Sequence, residues 1–186
     1  MNKPPLVTAW DPFIRIFHWS LVVSFVVSWV TREEFYNLHL QAGYATLGLI
    51  CMRLVWGFIA GGHARFIDFI YSPKAIIAYL KSLPGNNPQR YIGHNPAGGA
   101  MVILLLAGLF VVTLSGIALD AAENWSGPMA GMNLFHYTNL IKSIHSLSTN
   151  LLLVTIALHL LGVGLSSMAH RENLPKSMIT GKKRKL

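Results

Sequence analysis

Long apolar runs alternate with short polar stretches along the chain, and four of the runs are long enough to cross about 30 Å of hydrocarbon. They extend over roughly residues 13–30, 40–60, 97–119 and 144–168. Arg15 sits at the entry of the first, Arg53 is the only formal charge in the second, the third has none, and the fourth has none beyond its histidines. A helix of a water-soluble core is shorter and keeps a polar face, so the pattern predicts an all-α integral membrane four-helix bundle. The first run ends in Ser28-Trp29-Val30-Thr31-Arg32-Glu33 without a small-x-small cleavage pattern, and is expected to stay in place as a span. Between spans two and three, Ser72-Pro73 reads as an N-cap followed by proline at the first helical position. Ile76, Ile77, Leu80 and Leu83 then recur at helical spacing and Pro84-Gly85 ends the run, which predicts a short interfacial helix in this loop. With no internal repeat and no separate soluble segment, residues 1–186 are expected to form a single membrane domain.

Composition agrees. The chain is 53% hydrophobic and only 12% charged, with a mean hydropathy of +0.46, whereas soluble domains carry about a quarter charged residues. The lone Cys51 excludes an internal disulfide framework, a cysteine-ligated zinc site and an iron–sulfur cluster, and no C-x-x-C-H is present for covalent haem attachment. A net charge of +8 resembles a nucleic-acid-binding signature until the charges are assigned to sides. One side carries Lys3, Arg15, Arg53, Arg65, Lys74, Lys81, Arg90, Arg171, Lys176, Lys182, Lys183, Arg184 and Lys185 against Asp11, Asp68 and Glu172, a net of +10. The other carries Arg32 and Lys142 against Glu33, Glu34, Asp120 and Glu123, a net of −2. The positive-inside rule then places both termini in the cytoplasm. This asymmetry accounts for the basic chain without a nucleic-acid partner. The Lys182–Lys185 cluster is expected to serve as an orientation signal or as a contact with anionic lipid.

The candidate chemistry lies in eight histidines. His63, His136 and His170 fall in loops or after the last span, and His94 opens span three within Gly93-His94-Asn95-Pro96, where a cap or interface residue is ordinary. His18 and His159 fall within the spans and His39 and His145 begin spans two and four, where an ionisable residue is a functional-site hypothesis. Fourteen residues at about 100° each leave His159 about 40° from the face of His145 and about 21 Å further along the helix. His145 matches His39 in depth near the outer end, and His159 approximates His18 near the inner end. Two imidazole pairs, each drawn from two helices, can hold two irons at two depths. Zinc asks for three or four protein ligands, whereas haem brings four nitrogens of its own and needs two axial ligands. Gly43, one turn after His39, leaves room for a porphyrin and equally suits close helix packing. Arg53, fourteen residues after His39, is placed to pair with a haem propionate or to serve as an interfacial positive-inside residue.

His18-Trp19, His39 with Gly43, Arg53-Leu54-Val55-Trp56-Gly57, Gly93-His94-Asn95-Pro96 and the His145/His159 spacing together resemble the bacterial cytochrome b561 family, which includes the cytochrome b subunits of nickel–iron hydrogenases. The resemblance covers nearly the whole chain; each motif alone is weak, and their joint order is specific. It implies two non-covalent haem b groups in a bacterial inner-membrane protein that exchanges electrons with the quinone pool. His18 and His159 would then ligate the cytoplasmic-side iron, and His39 and His145 the periplasmic-side iron. Two histidines per iron leave no open coordination position, so electron transfer is expected rather than oxygen activation. The expected partners are membrane lipid, quinone and a periplasmic electron-transfer protein such as a c-type cytochrome. Arg15, His94, Asn95 and His170 are candidates for the quinone site. Two alternatives stand beside this reading: superoxide oxidation with quinone as acceptor, and service as the cytochrome b anchor of a hydrogenase-like complex. The net −2 of the outer loops disfavours steering of the superoxide anion and suits a basic partner.

Overall fold

The computed structural model of the chain describes residues 5–83 and 89–185. The predicted Pro84-Gly85 stop, and Lys3 of the charge count, lie outside the described residues. Four long helices carry the apolar runs: α1 (Pro12–Thr31), α2 (Tyr36–Ile59), α4 (Pro96–Asn124) and α5 (Thr138–Ala169). Between α2 and α4 lies the shorter α3 (Pro73–Ser82), and α6 (Leu174–Thr180) follows α5. Two short strands, β1 (Leu6–Thr8) and β2 (Lys182–Arg184), pair antiparallel with Leu6 opposite Arg184.

Local sequence fixes where these helices begin. The Asp11 carboxylate accepts the Ile14 amide at 2.9 Å ahead of Pro12, and the Asn95 side chain accepts the Gly98 amide at 2.7 Å ahead of Pro96. Ser72 does the same for the Ala75 amide at 3.3 Å ahead of Pro73, and Asn173 for the Lys176 amide at 2.8 Å. Each is a side-chain cap, and in each of these helices a proline near the start surrenders only an amide that had no helical partner. α5 begins six residues before the expected run and α4 continues five beyond it, because their ends lie at the polar boundary where apolar composition no longer reports helix. Ile16, Val30, Phe58, Ile59, Leu160 and Met168 each expose more than 60% of their surface. Six such residues facing water would be strongly unfavourable, whereas hydrocarbon accepts them. The interfacial helix is present as α3: Tyr79 is buried beneath it, and Ile77 and Leu80 are turned outward.

The chain divides into two compact units. The first comprises Met1–His18, Arg53–Leu104 and Ile156–Leu186; the second comprises Trp19–Met52 and Leu105–Thr155. In the first, Ala9, Trp10, Ile14, Ala60 and Ala64 form a buried cluster against Phe13, Trp56 and Ile92, with the Phe13 and Trp56 rings stacked at 4.5 Å. The β1–β2 pair was not expected from composition. It turns Lys183, at 6% exposure, inward, so this lysine is not the lipid contact that its basic run suggests. Its ammonium donates to the Tyr91 carbonyl at 2.9 Å and lies 3.8 Å from Glu172. Glu172 also accepts from Arg90 at 2.9 Å and from the Arg184 amide at 2.9 Å. The Arg184 side chain reaches the carbonyls of His170 and Arg171 at 2.7 Å each, closing the end of α5. Basic residues at a helix C-terminus complement its negative dipole end.

Burial alone would raise the Glu172 carboxyl, but the Arg184 amide, Arg90 and Lys183 together hold it below its ordinary value of 4.5. A depressed carboxyl contributes stability above its unfolded value and loses it as pH falls through the folded one. Glu172→Gln leaves Arg90 and Lys183 without their anion and is expected to cost about 3 kcal/mol at neutral pH. Thermal melts in detergent check this: the wild type should lose part of its advantage over the variant below about pH 4.5.

Candidate functional site

In the second unit, α2 brings His39 and α5 brings His145 to face each other, with ring centres 6.3 Å apart and planes at 85°. Both rings are held from behind. His39 Nδ1 donates to the Ser28 carbonyl at 2.8 Å, with Ser28 Oγ at 3.2 Å. His145 Nδ1 donates to the Val112 carbonyl at 3.1 Å, with Ser115 Oγ also at 3.1 Å. A carbonyl can only accept, so each Nδ1 must carry the proton and each Nε2 keeps its lone pair. That tautomer, with the remaining N–H tied to an acceptor, is the form in which histidine binds a metal. Two imidazoles on opposite sides of one metal, with metal–nitrogen bonds of about 2 Å, hold their centres about 6 Å apart. The observed spacing meets that requirement.

The pair opens on a cavity of about 540 Å³, lined by Phe25, Leu109, Val112 and Thr149 among others. This volume is in the ordinary range for a cofactor site. Gly43 lines it, and a Cβ built there meets nothing within 4 Å, so Gly43 faces cavity and not a packed helix. Gly116, across from it on α4, is needed for a different reason. A Cβ there would lie 3.1 Å from His145 Cε1 and crowd the ring. Apolar walls, two bare imidazole nitrogens and a glycine cradle fit a flat macrocycle such as haem. Among the described residues no group of three or more histidine, cysteine, aspartate or glutamate side chains gathers as a bare metal would require.

The first unit holds His18 of α1 and His159 of α5 within electrostatic reach of each other. Arg53, at 3% exposure, donates through Nη2 to the Ala64 carbonyl at 3.0 Å and lies over the Phe66 ring at 4.7 Å. Its Nη1 is buried with no hydrogen-bond partner, which leaves a donor suited to an anionic oxygen. The four quinone candidates have different surroundings. Arg15 donates through Nη to the Ile179 carbonyl at 2.7 Å while its Nε is buried without a hydrogen-bond partner, Asn95 caps α4, and the backbone carbonyl of His170 accepts from Arg184. His94 sits between the rings of Trp10 and Phe69, each 4.7 Å away, and its Nδ1 is buried without a hydrogen-bond partner.

Sequence reasoning missed Ser28, Val112 and Ser115, which fix the imidazole tautomers, and Gly116, which admits His145. Ser28 precedes His39 by eleven residues and Val112 precedes His145 by thirty-three, so no helical spacing links them. Missed as well was a polar group at the cavity rim. Tyr36 donates to Asp120, and the Asn124 amide donates to both the Tyr36 hydroxyl at 2.8 Å and Asp120 at 3.1 Å.

His94 lies outside the spans, and burial, followed by the nearby charges of Arg53 and Lys183, holds it down at about 3. A histidine that stays neutral when folded but binds a proton near 6.5 when unfolded makes the fold less stable as pH falls below about 6.5. His94→Phe is expected to flatten this acid loss, measured as the change in melting temperature between pH 7 and pH 5. A variant that loses stability across that interval as steeply as the wild type would count against it.

The family model described as prokaryotic cytochrome b561 matches residues 9–181. A "Probable Ni/Fe-hydrogenase B-type cytochrome subunit" of Azotobacter vinelandii is 25% identical over 217 residues, covering 97% of this chain and 90% of that protein. Its counterpart in Azotobacter chroococcum mcd 1 shows the same identity and coverage. One from Rhizobium leguminosarum bv. viciae is 22% identical over 160 residues, covering 78% of this chain and 67% of its own length. No solved structure matches the chain. With four apolar spans and a model match over most of its length, the chain belongs to the prokaryotic cytochrome b561 family, the multi-pass b-type electron-transfer cytochromes of the bacterial inner membrane.

Proposed function

We propose that the protein carries electrons between the membrane quinone pool and a redox partner on the periplasmic face, through two haem b groups. His39 and His145 would hold the haem near the periplasm, and His18 and His159 the one near the cytoplasm. The observation that carries this reading is the facing imidazole pair in α2 and α5, each ring presenting a bare Nε2 because its Nδ1 is tied to a helix carbonyl. When bound, haem supplies a one-electron ferric/ferrous couple. The chain does the rest. Ser28 and Val112 orient the ligands, and Gly43 and Gly116 make room. Arg53 would neutralise a propionate of the cytoplasmic-side group through its unpaired Nη1.

Both termini lie in the cytoplasm in this reading, supported by a net of +10 on their side and −2 on the other. His94 and Arg15 are the residues of choice for contact with quinone, since Asn95 is spent on a helix cap while His94 Nδ1 and Arg15 Nε are buried without hydrogen-bond partners. For the periplasmic partner, the names of the Azotobacter and Rhizobium relatives favour a nickel–iron hydrogenase-type complex. A free basic c-type cytochrome is the second reading, favoured by the net −2 of the outer loops.

A reduced-minus-oxidised spectrum of purified protein, with haem and protein quantified, tests the core of this reading. Two haems per chain are expected. Replacing His39 or His145 with alanine should remove one, and replacing His18 or His159 the other. One haem per chain in the wild type, or no loss from any of these variants, refutes the ligand assignment. For quinone, His94→Phe is expected to slow quinol-driven haem reduction at least tenfold with haem content intact; an unchanged rate removes His94 from the mechanism.

A further inference from the structure

The cavity of the second unit contains a carboxylate that electron transfer as described above does not use. Asp120, near the end of α4, is 4% exposed and lines the same cavity as His39 and His145. Its Oδ1 accepts from the Tyr36 hydroxyl and the Asn124 amide, whereas Oδ2 is buried with no hydrogen-bond partner. Its hydrogen bonds go to neither histidine.

The other charged groups of that cavity are balanced in pairs. Arg32 meets Glu33 at 3.0 Å, and Lys142 meets Glu123 at 3.7 Å. Tyr36 and Tyr44 of α2 complete the titratable groups that line the cavity beside the two histidines. Asp120 is therefore the carboxylate there without a cation of its own, among the described residues. A buried charge in that position is unfavourable, and an added electron nearby makes it more so. A proton relieves both. A route for it exists, because Tyr36, hydrogen-bonded to Asp120, is 48% exposed.

We propose that Asp120 is the redox-linked proton acceptor of this cavity. Its carboxylate binds one proton for each electron that enters the cavity and releases it when the electron leaves. The electron comes from the quinol or redox partner of the electron-transfer chain. The proton comes from water at the periplasmic face, through Tyr36, whose hydroxyl gives its proton to Oδ1 and takes one back. The only bond formed is the carboxyl O–H. This inference rests on the reading of His39 and His145 as haem ligands.

Infrared difference spectra of the solubilised holoprotein, recorded on electrochemical reduction, test it together with the midpoint potential of the outer haem at several pH values. In the wild type a protonated-carboxyl carbonyl band should rise on reduction. The reduction equilibrium should change up to tenfold per pH unit, which is 59 mV for one electron. Asp120→Asn should abolish the band and flatten the slope while both haems remain. Tyr36→Phe should keep the band but shift its frequency, since it removes a hydrogen bond to Oδ1; a merely structural role would not move it. If Asp120→Asn fails to assemble, that shift decides, and a band at the unchanged frequency overturns the inference. With the outer haem intact, absence of the band in the wild type, or its survival in Asp120→Asn, overturns the inference alone. A His39→Ala protein that keeps both haems overturns the ligand reading and the inference with it.

Discussion

Hydrocarbon offers no hydrogen bonds, so a polar atom carried into a membrane span is costly unless it finds a partner inside the protein. In the second unit this constraint produces the site. A histidine ring in such surroundings has one N–H to satisfy, and the carbonyls of Ser28 and Val112 take it from His39 and His145. A carbonyl oxygen has two lone pairs and can serve a ring nitrogen in addition to its own helix. The remaining nitrogen of each ring is then a bare donor facing an apolar cavity. Satisfying the polar group and leaving one ring nitrogen with a bare lone pair are the same act here.

In the first unit the same requirement is met with charges. Arg53 is accommodated by the Ala64 carbonyl and by the faces of Phe66 and Phe69, whose electron-rich surfaces attract a cation. Glu172 gathers Arg90, Lys183 and the Arg184 amide around one carboxylate. Charge-assisted contacts of this kind hold a tail that has too little apolar surface to hold itself. They also assign the basic residues after α5 two distinct jobs. Lys183 and Arg184 are structural, whereas Lys182 remains turned to solvent beside the membrane.

The four spans were legible because apolar length is nearly sufficient evidence in a membrane protein, and α3 because Ser72-Pro73 writes its start into two adjacent positions. The imidazole pair of α2 and α5 was legible from depth, since helical rise converts sequence distance directly into position across the bilayer. At Gly43 the sequence left packing and open space equally possible, and the space beside its Cα is open. Illegible were contacts between helices whose register nothing local fixes. Ser28 with His39 and Tyr36 with Asp120 depend on how neighbouring helices are rotated, and periodicity within one helix carries no such information. The β1–β2 pair was missed because three residues at each end, one strand wholly basic, give no alternation to read.

That pairing sets the order in which the molecule can be completed. Leu6 cannot find Arg184 until the ribosome has made almost everything between them. The backbone amides of Ala9 and Trp10 wait likewise for the Gly181 carbonyl, which they share at 2.8 and 3.1 Å. During insertion the stretch before α1 is therefore unfinished, with the Trp10 indole lacking its Ser177 acceptor. Its closure comes only after the fourth span has emerged.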